Sequence, residues 1–266
     1  DYAKQGISIY AISPQNEPLY VPPHYAGMGM SAEAQSTFIA QHLGPALEKT
    51  NANVKLFCYD HNWDGYAYAQ NILASEAGKY IDGVAWHWYG GKPSAQTTVY
   101  KQFPKEVHVT EASGGEWIPP FDNAFSAVMT NGIDILRNYG KSFVLWNMAL
   151  DENNGPVVPG FGRSTCRGIV KINQKTKKLE YNLDYFALAH CSKFTQDDAV
   201  RIHSIERGGV KSIAMQNPDN SINLVLLNTN KTAPKEVQVR IGKTNKLLNI
   251  TMQAKEALTI VFEAMD

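Results

Sequence analysis

Apolar and polar positions along this chain fall into two textures. Up to about residue 195, short apolar runs alternate with longer stretches of helical period. Ile7–Ser13, Asn53–Tyr59, Gly83–Tyr89, Val107–Glu111 and Ser142–Leu150 read as strands. Between them, Ser31 is placed to cap a helix that runs toward Lys49, with Glu33 in its first turn and Pro45 set to kink it. Gly65–Lys79, Asp122–Tyr139 and Tyr185–Phe194 read as further helices, and Ala95–Phe103 as a short one. Gly140 can close the Asp122–Tyr139 helix. Asp1–Gly6 has the look of a last helical turn with Gly6 as its C-cap, and the expectation is a sequence that lacks its beginning. Beyond residue 195 the runs shorten: Val200–Ser204, Lys211–Gln216, Ile222–Asn228, Glu236–Ile241, Leu248–Met252 and Leu258–Glu263. Pro218–Asn220 and Gly242–Asn245 punctuate them, which predicts an antiparallel sandwich of roughly 70 residues.

Strands alternating with helices imply a parallel α/β layer, either doubly wound or closed into a barrel. No GxGxxG or GxxxxGKS follows a strand, which weakens a nucleotide-binding reading. Polar and aromatic residues end every strand, which favours a barrel. There the C-terminal strand ends face the active site. Two apolar strands end in a carboxylate, at Glu17 and Glu111, about three βα units of ~30 residues apart. Such a pair is what a glycosidase needs, one acid/base and one nucleophile.

Composition narrows the partners. Lys+Arg and Asp+Glu are both 25, so net charge gives no ground for nucleic acid or an anionic membrane surface. No run is apolar enough to span a membrane. Cys58, Cys166 and Cys191 form no zinc pattern; a Cys166–Cys191 bridge and free thiols both remain open. Asn230-Lys-Thr and Asn249-Ile-Thr are glycosylation sequons. A metal hydrolase could assemble Asp60, His61, His87 and Glu111, but HExxH and His-x-His are missing. Strand alternation sends His87 and Tyr89 to one side and Trp86 and Trp88 to the other. It also sends His108 away from Glu111.

Asn16-Glu17-Pro18, His87-Trp88-Tyr89, Thr110-Glu111-Ala112, Trp146-Asn147-Met-Ala-Leu-Asp151, Cys166-Arg-Gly-Ile-Val and Tyr185-Phe-Ala-Leu-Ala-His-Cys-Ser-Lys-Phe194 occur in that order. Together they resemble glycoside hydrolase family 30, which includes glucosylceramidases and microbial endo-β-1,6-glucanases. Asp151-Glu-Asn-Asn-Gly-Pro before Cys166 looks more like the glucanase branch. The resemblance implies a partial TIM (β/α)8 barrel, strands 4 to 8, over residues 1–195, and a C-terminal antiparallel β-sandwich over 196–266. It implies a retaining hydrolase of β-linked glucan, most specifically β-1,6-glucan, with glucosylceramide the alternative substrate. It also implies a secreted or extracellular location. No cofactor is implied, because the protein supplies both acid and nucleophile. An inactive carbohydrate binder is the alternative of a different class.

In that family pattern Glu17 is the general acid, then base, and Glu111 the nucleophile. Asn16 donates a hydrogen bond to the sugar 2-hydroxyl, and Tyr89, sharing a side with His87, reaches Glu111. Trp146 forms part of the glycone pocket. Asp60, His61 and Trp63 line the aglycone side. Glu17 is expected to have a raised pKa, from burial and from the charge on Glu111. The retaining mechanism sets the two carboxyl groups about 5–5.5 Å apart.

Overall fold

The computed structural model describes residues 2–50, 53–117, 123–160, 162, 165–240, 242 and 247–264. The chain divides into two compact units. One comprises Asp1–Ser113 with Asn138–Trp146, the other Gly114–Arg137 with Asn147–Asp266.

The first unit is a five-stranded sheet with every neighbouring pair parallel. Its order is β1 (Ala11–Ile12), β2 (Lys55–Asn62), β3 (Gly83–His87), β4 (Glu106–Glu111) and the strand Gly140–Phe143. Sheet order follows chain order, as in consecutive βα units of a barrel wall. Leu56 to Asp60 of β2 and all of β3 are buried, the near-continuous burial of a parallel sheet covered on both faces. Gly83 is required at the start of β3. A Cβ there would lie 2.8 Å from the Phe57 ring and 3.0 Å from the Glu106 carbonyl oxygen.

The strand beginnings are tied by charge. Glu106 accepts from Lys141 (2.6 Å), Lys55 (2.7 Å) and Tyr10 (2.9 Å). Burial raises the Glu106 carboxyl, but these bonds and one from His108 outweigh it and bring it down to about 2. His108 therefore serves this stabilising end of the sheet, with Ser142 on its other nitrogen at 2.8 Å. A register shift in β4 between Val109 and Glu111 puts it on the same face as Glu111, at the opposite end, and not on the opposite face that alternation predicts.

The helices follow the pattern with breaks. Ser31 caps α1 (Ala32–Phe38), its hydroxyl accepting from the Ala34 N–H at 3.1 Å. A π-helical stretch, Ile39–Leu43, leads into α2 (Gly44–Thr50). Pro45, which has no N–H to offer the preceding turn, is absorbed there rather than by a sharp kink. The predicted Gly65–Lys79 helix is three pieces: a 3-10 turn Trp63–Gly65, α3 (Tyr66–Leu73), and a 3-10 segment Glu76–Tyr80. Ser75 causes the second break. Its hydroxyl donates to the Ile72 carbonyl (2.7 Å) and accepts from the Ala77 N–H (3.1 Å), competing with the helix ladder. The short helix is α4 (Ser94–Gln102).

Two strands are shorter than expected. Only Ala11–Ile12 of Ile7–Ser13 pairs, and Ser142–Leu150 splits into Gly140–Phe143 and Ala149–Asp151, which belong to different sheets. The terminal turn is a 3-10 helix, Tyr2–Gln5, closed by Gly6 at φ +75°, with the Ile7 N–H donating to the Tyr2 carbonyl at 3.1 Å.

In the second unit, α5 (Asn123–Arg137) and α6 (Leu183–Ser192) accompany a four-stranded antiparallel sheet. Its order is Val200–Ile202, Val210–Gln216, Ile222–Asn228, Ala257–Phe262. A separate hairpin pairs Lys235–Arg240 with Leu247–Met252. Ala214, Leu224, Leu226 and Met252 form the core, with Val237, Val239 and Ile250 of the hairpin packed on it. This is sheet on sheet, the expected sandwich. Asn220, at φ +66°, makes the turn predicted at Pro218–Asn220.

A buried Arg167–Asp184 pair joins the short strand Cys166–Arg167 to α6 through contacts of 2.6 and 3.0 Å. Gly114 must stay bare beside it, because a Cβ would lie 2.1 Å from the guanidinium. Cys191 stays a thiol, so the Cys166–Cys191 bridge is not formed. Asp1, Asp122, Ile241 and residues 243–245 of the last predicted turn lie outside the described residues.

Candidate active site

At the C-terminal end of the parallel sheet, β2 leaves regular geometry. Tyr59 and Asp60 have φ of +76° and +61°, and the register against β3 skips a residue between Tyr59 and His61. Such a bulge re-aims side chains at a strand end. It turns the Asp60 carbonyl toward the loop after β1, where it accepts the Glu17 N–H at 3.0 Å. Glu17 itself takes φ +47°, a conformation costly for a non-glycine residue and concentrated at functional sites.

The Asp60 side chain is a buried acceptor. It takes hydrogen bonds from the Ser13 hydroxyl, from Thr110 at 2.7 Å and from Nε2 of His87 at 3.1 Å. His87 is fully buried at the end of β3 and is paired in register with Asn62 on one side and Glu111 on the other. Its Nδ1 lies 3.1 Å from Glu17 Oε1, and its Nε2 lies 3.7 Å from Glu111 Oε2. Glu17, from the loop after β1, and Glu111, from the end of β4, thus meet at one imidazole. Tyr89 donates its hydroxyl to Glu111 Oε1 at 3.0 Å, with Ser113 Oγ at 3.2 Å from the same hydroxyl. Trp86 is buried against Tyr59 and Trp88 packs on Phe143, so alternation is correct for all four side chains.

The protonation order is the reverse of the expected one. The hydrogen bond from His87 dominates at Glu17 and outweighs burial, so the Glu17 carboxyl is lowered, not raised. Burial dominates at Glu111 and raises it, against the His87 charge and the Tyr89 hydrogen bond. Burial alone would depress the His87 imidazole. Hydrogen bonds to Asp60 and Glu17 and the charge of Glu111 overcome it and lift it to about 9. Asp60, despite its burial, is held low by His87, Ser13 and Thr110. At neutral pH the ring between the carboxylates is an imidazolium.

Other sequence-predicted residues fall differently. Asn16 is exposed, and its carbonyl accepts from the Gln15 side chain at 2.9 Å. Trp146 lies past the end of its strand and is 57% exposed, with its backbone N–H donating to the Ala112 carbonyl at 2.6 Å. Asp60, His61 and Trp63 do not form an open aglycone wall. All three are buried, and the Trp63 indole N–H bonds Gln96 at 3.0 Å within the core. Ser13 and Ser113 carry no motif signal, and Thr110 enters only as the neighbour of Glu111 in its motif. Thr110 and Ser113 were findable only as polar neighbours of Glu111.

Glu17, His61 and His87 are the described residues able to gather on a metal, each with a ligand atom within 4.8 Å of the others. This set differs from the one considered from sequence, since Glu17 replaces Asp60 and Glu111.

Relatives agree with this architecture. An endo-1,6-β-D-glucanase from Aspergillus fumigatus is 30% identical over 234 residues, covering 86% of this chain and 47% of the relative. A putative glucosylceramidase from Caenorhabditis elegans is 31% identical over 258 residues, covering 90% of this chain and 49% of the relative. A solved endo-β1,6-glucanase superposes with a TM-score of 0.86 at 29% identity, over 99% of this chain and 60% of that one. The chain spans about half the length of the curated relatives it matches. The model of the glycosyl hydrolase family 30 TIM-barrel domain matches residues 1–195, and that of the family's β-sandwich domain matches 198–260. The chain belongs to glycosyl hydrolase family 30.

Proposed function

We propose that this chain carries the two catalytic carboxylates of a retaining β-glycosidase, with Glu111 as nucleophile and Glu17 as acid/base. The observation that supports it best is the meeting of both glutamates at His87, with Tyr89 bonded to Glu111. The reversed protonation order is compatible with these roles. The Nδ1–H of the imidazolium points along a 3.1 Å hydrogen bond to Glu17. Moving that proton across yields neutral His87 and a protonated Glu17, so the pair together acts as the acid. Glu111 must ionise to attack the anomeric carbon, and the Tyr89 hydroxyl favours its anion. A sugar seated over this site would meet the exposed Asn16 and Trp146, proposed to bond the 2-hydroxyl and to pack on the ring face.

The proposed substrate is β-1,6-glucan, by likeness to the glucanases. A second reading, glucosylceramide, draws on the loop after Glu17. There Leu19, Tyr20, Val21, Tyr25 and Met28 are all exposed, and an apolar rim suits a lipid glycoside. The proposed division is a barrel part over 1–195 and a sandwich over 196–266, and the family matches over 1–195 and 198–260 support it.

The test is hydrolysis of β-1,6-glucan beside glucosylceramide, with Glu111→Gly assayed in azide. Turnover lost in the variant and partly restored as glycosyl azide supports Glu111 as nucleophile. Lost turnover without rescue would remove that assignment. Turnover of neither substrate by the unmutated protein would turn the reading toward carbohydrate binding alone.

A further inference from the structure

His61 is the buried side chain that the proposed hydrolysis leaves unused. Its side chain is only 9% exposed, and its Nδ1 makes no hydrogen bond. Leaving a buried nitrogen unsatisfied is costly, so such an atom calls for an explanation. Nδ1 points at Glu17, 3.7 Å from Oε1, too far for a hydrogen bond. On the other side of the same oxygen lies Nδ1 of His87, at 3.1 Å.

We infer that Glu17 Oε1, His61 Nδ1 and His87 Nδ1 form a site for one borderline-soft divalent ion such as Zn²⁺, whose binding silences the hydrolytic centre. The inhibition rests on the proposed role of Glu17; the binding does not. Ligands held about 2.0–2.1 Å from a tetrahedral ion stand about 3.3–3.4 Å from one another. The two contacts to Oε1, 3.1 and 3.7 Å, bracket that edge, and all three ligand atoms lie within 4.8 Å. Binding would draw the two imidazoles together around Oε1.

The surroundings are also those of a metal site. His87 presents Nδ1 to the ligand position while Nε2 donates to the Asp60 carboxylate, the carboxylate–histidine arrangement that fixes and strengthens a metal-binding imidazole. Burial depresses the His61 imidazole and leaves its nitrogen lone pair available. Glu17 keeps 17% of its side chain exposed, which gives the ion a route and leaves a fourth position to water. Two imidazoles and one carboxylate select Zn²⁺ or Cu²⁺ over Mg²⁺ and Ca²⁺, which require mostly oxygen ligands. Binding displaces the Nδ1 proton of His87 to solvent, one proton per ion, and with Oε1 on the ion Glu17 cannot serve as the acid.

Calorimetric titration with Zn²⁺, together with the visible spectrum of the Co²⁺ form, tests the site without substrate. One ion per chain, a tetrahedral Co²⁺ band and no heat from Ca²⁺ are expected. His61→Gln should weaken Zn²⁺ binding on the order of tenfold or more, and His42→Gln, on an exposed helix residue, should not. Glu17→Gln, on a partly exposed side chain, gives the same loss by an independent route should His61→Gln fail to fold. No binding at millimolar Zn²⁺, or equal binding by the unmutated protein and both site variants, overturns the inference. Binding by a protein that hydrolyses no β-glycoside would uphold the site and sink the glycosidase reading. Hydrolysis without Zn²⁺ binding would do the reverse.

Discussion

Because His87 bonds Glu17 through one nitrogen and Asp60 through the other, its charge is the quantity on which both candidate catalytic carboxylates depend. With its pKa lifted to about 9, the pair His87–Glu17 gives up its shared proton there. The alkaline limb of kcat/KM is then expected close to 9. In His87→Gln that limb should drop toward the range of a lone carboxyl group, above the ordinary ~4.3 of glutamate because of burial and nearby charges but well below 9. An unmoved limb would show that another group sets it. Stability carries the same signature. An imidazolium favoured by folding adds stability that is complete below its unfolded pKa of ~6.5 and is lost as pH rises through about 9. Chemical denaturation should therefore show a fall on the order of 3 kcal/mol over that window, absent in His87→Gln. The Glu17 contribution has the opposite sense, since its lowered carboxyl adds stability at neutral pH that is lost on acidification. The strand-end position of Glu111 was legible, because an apolar strand ending in a carboxylate is a pattern of residue types; Glu17 instead lies in the loop after β1, beyond the strand end that was expected for it. Their protonation was not. The sequence argument set Glu17 against Glu111 and left out Asp60, whose buried charge keeps His87 cationic. The contact of Asp60 with His87 was hidden by the bulge at Tyr59–His61, which breaks in β2 the alternation that β3 keeps up to His87.

At the scale of elements, buried strands announced themselves by continuous apolar runs, and β2, β3 and β4 lie within three residues of their expected bounds. Outer strands did not. Ile7 to Tyr10 have strand-forming side chains but lie exposed, and pairing begins only at Ala11. In Ser142–Leu150 the apolar pattern continues past Phe143 although the chain leaves the sheet, so periodicity overran the strand. Cys166-Arg167-Gly-Ile-Val was visible as a motif without a reason. The reason is the Arg167–Asp184 pair, 7% and 4% exposed at the side chains, which fastens a two-residue strand to α6. Removing one partner leaves a charge buried alone. Arg167→Met is expected to destabilise the fold by about 3–5 kcal/mol, read from the denaturant midpoint. The double variant with Asp184→Leu should recover much of that loss, because no stranded charge remains. A single variant as stable as the unmutated protein would mean that the pair is solvated in solution.

For the molecule as a whole, the described sheet has two outer strands, β1 and Gly140–Phe143, and both sit beside exposed apolar residues. Ile7 and Ile9 precede β1, exposed by 52% and 37%, and Val144, exposed by 48%, follows the other. A sheet edge offers unpaired backbone groups, and apolar neighbours make it adhesive; natural edges are usually blunted with charge, proline or a covering element. Here net charge offers little opposition. Lys+Arg and Asp+Glu balance at 25 each and the pI is about 7.2, so copies of the chain repel one another least near neutral pH. The 266-residue chain is therefore expected to self-associate, most strongly around pH 7 and less on moving two units away to either side. Sedimentation velocity across that range reads the effect directly. Ile9→Lys places a charge beside the β1 edge at an exposed position and should shift the distribution toward monomer at pH 7, with little effect on thermal stability. If the chain were monomeric at pH 7, or if Ile9→Lys changed nothing while association persisted, the edge would not be the adhesive surface. Association that survives the substitution would point instead to the exposed apolar loop Leu19–Met28. Charge placed at Val21, which is 62% exposed, would then be the change that disperses the chain.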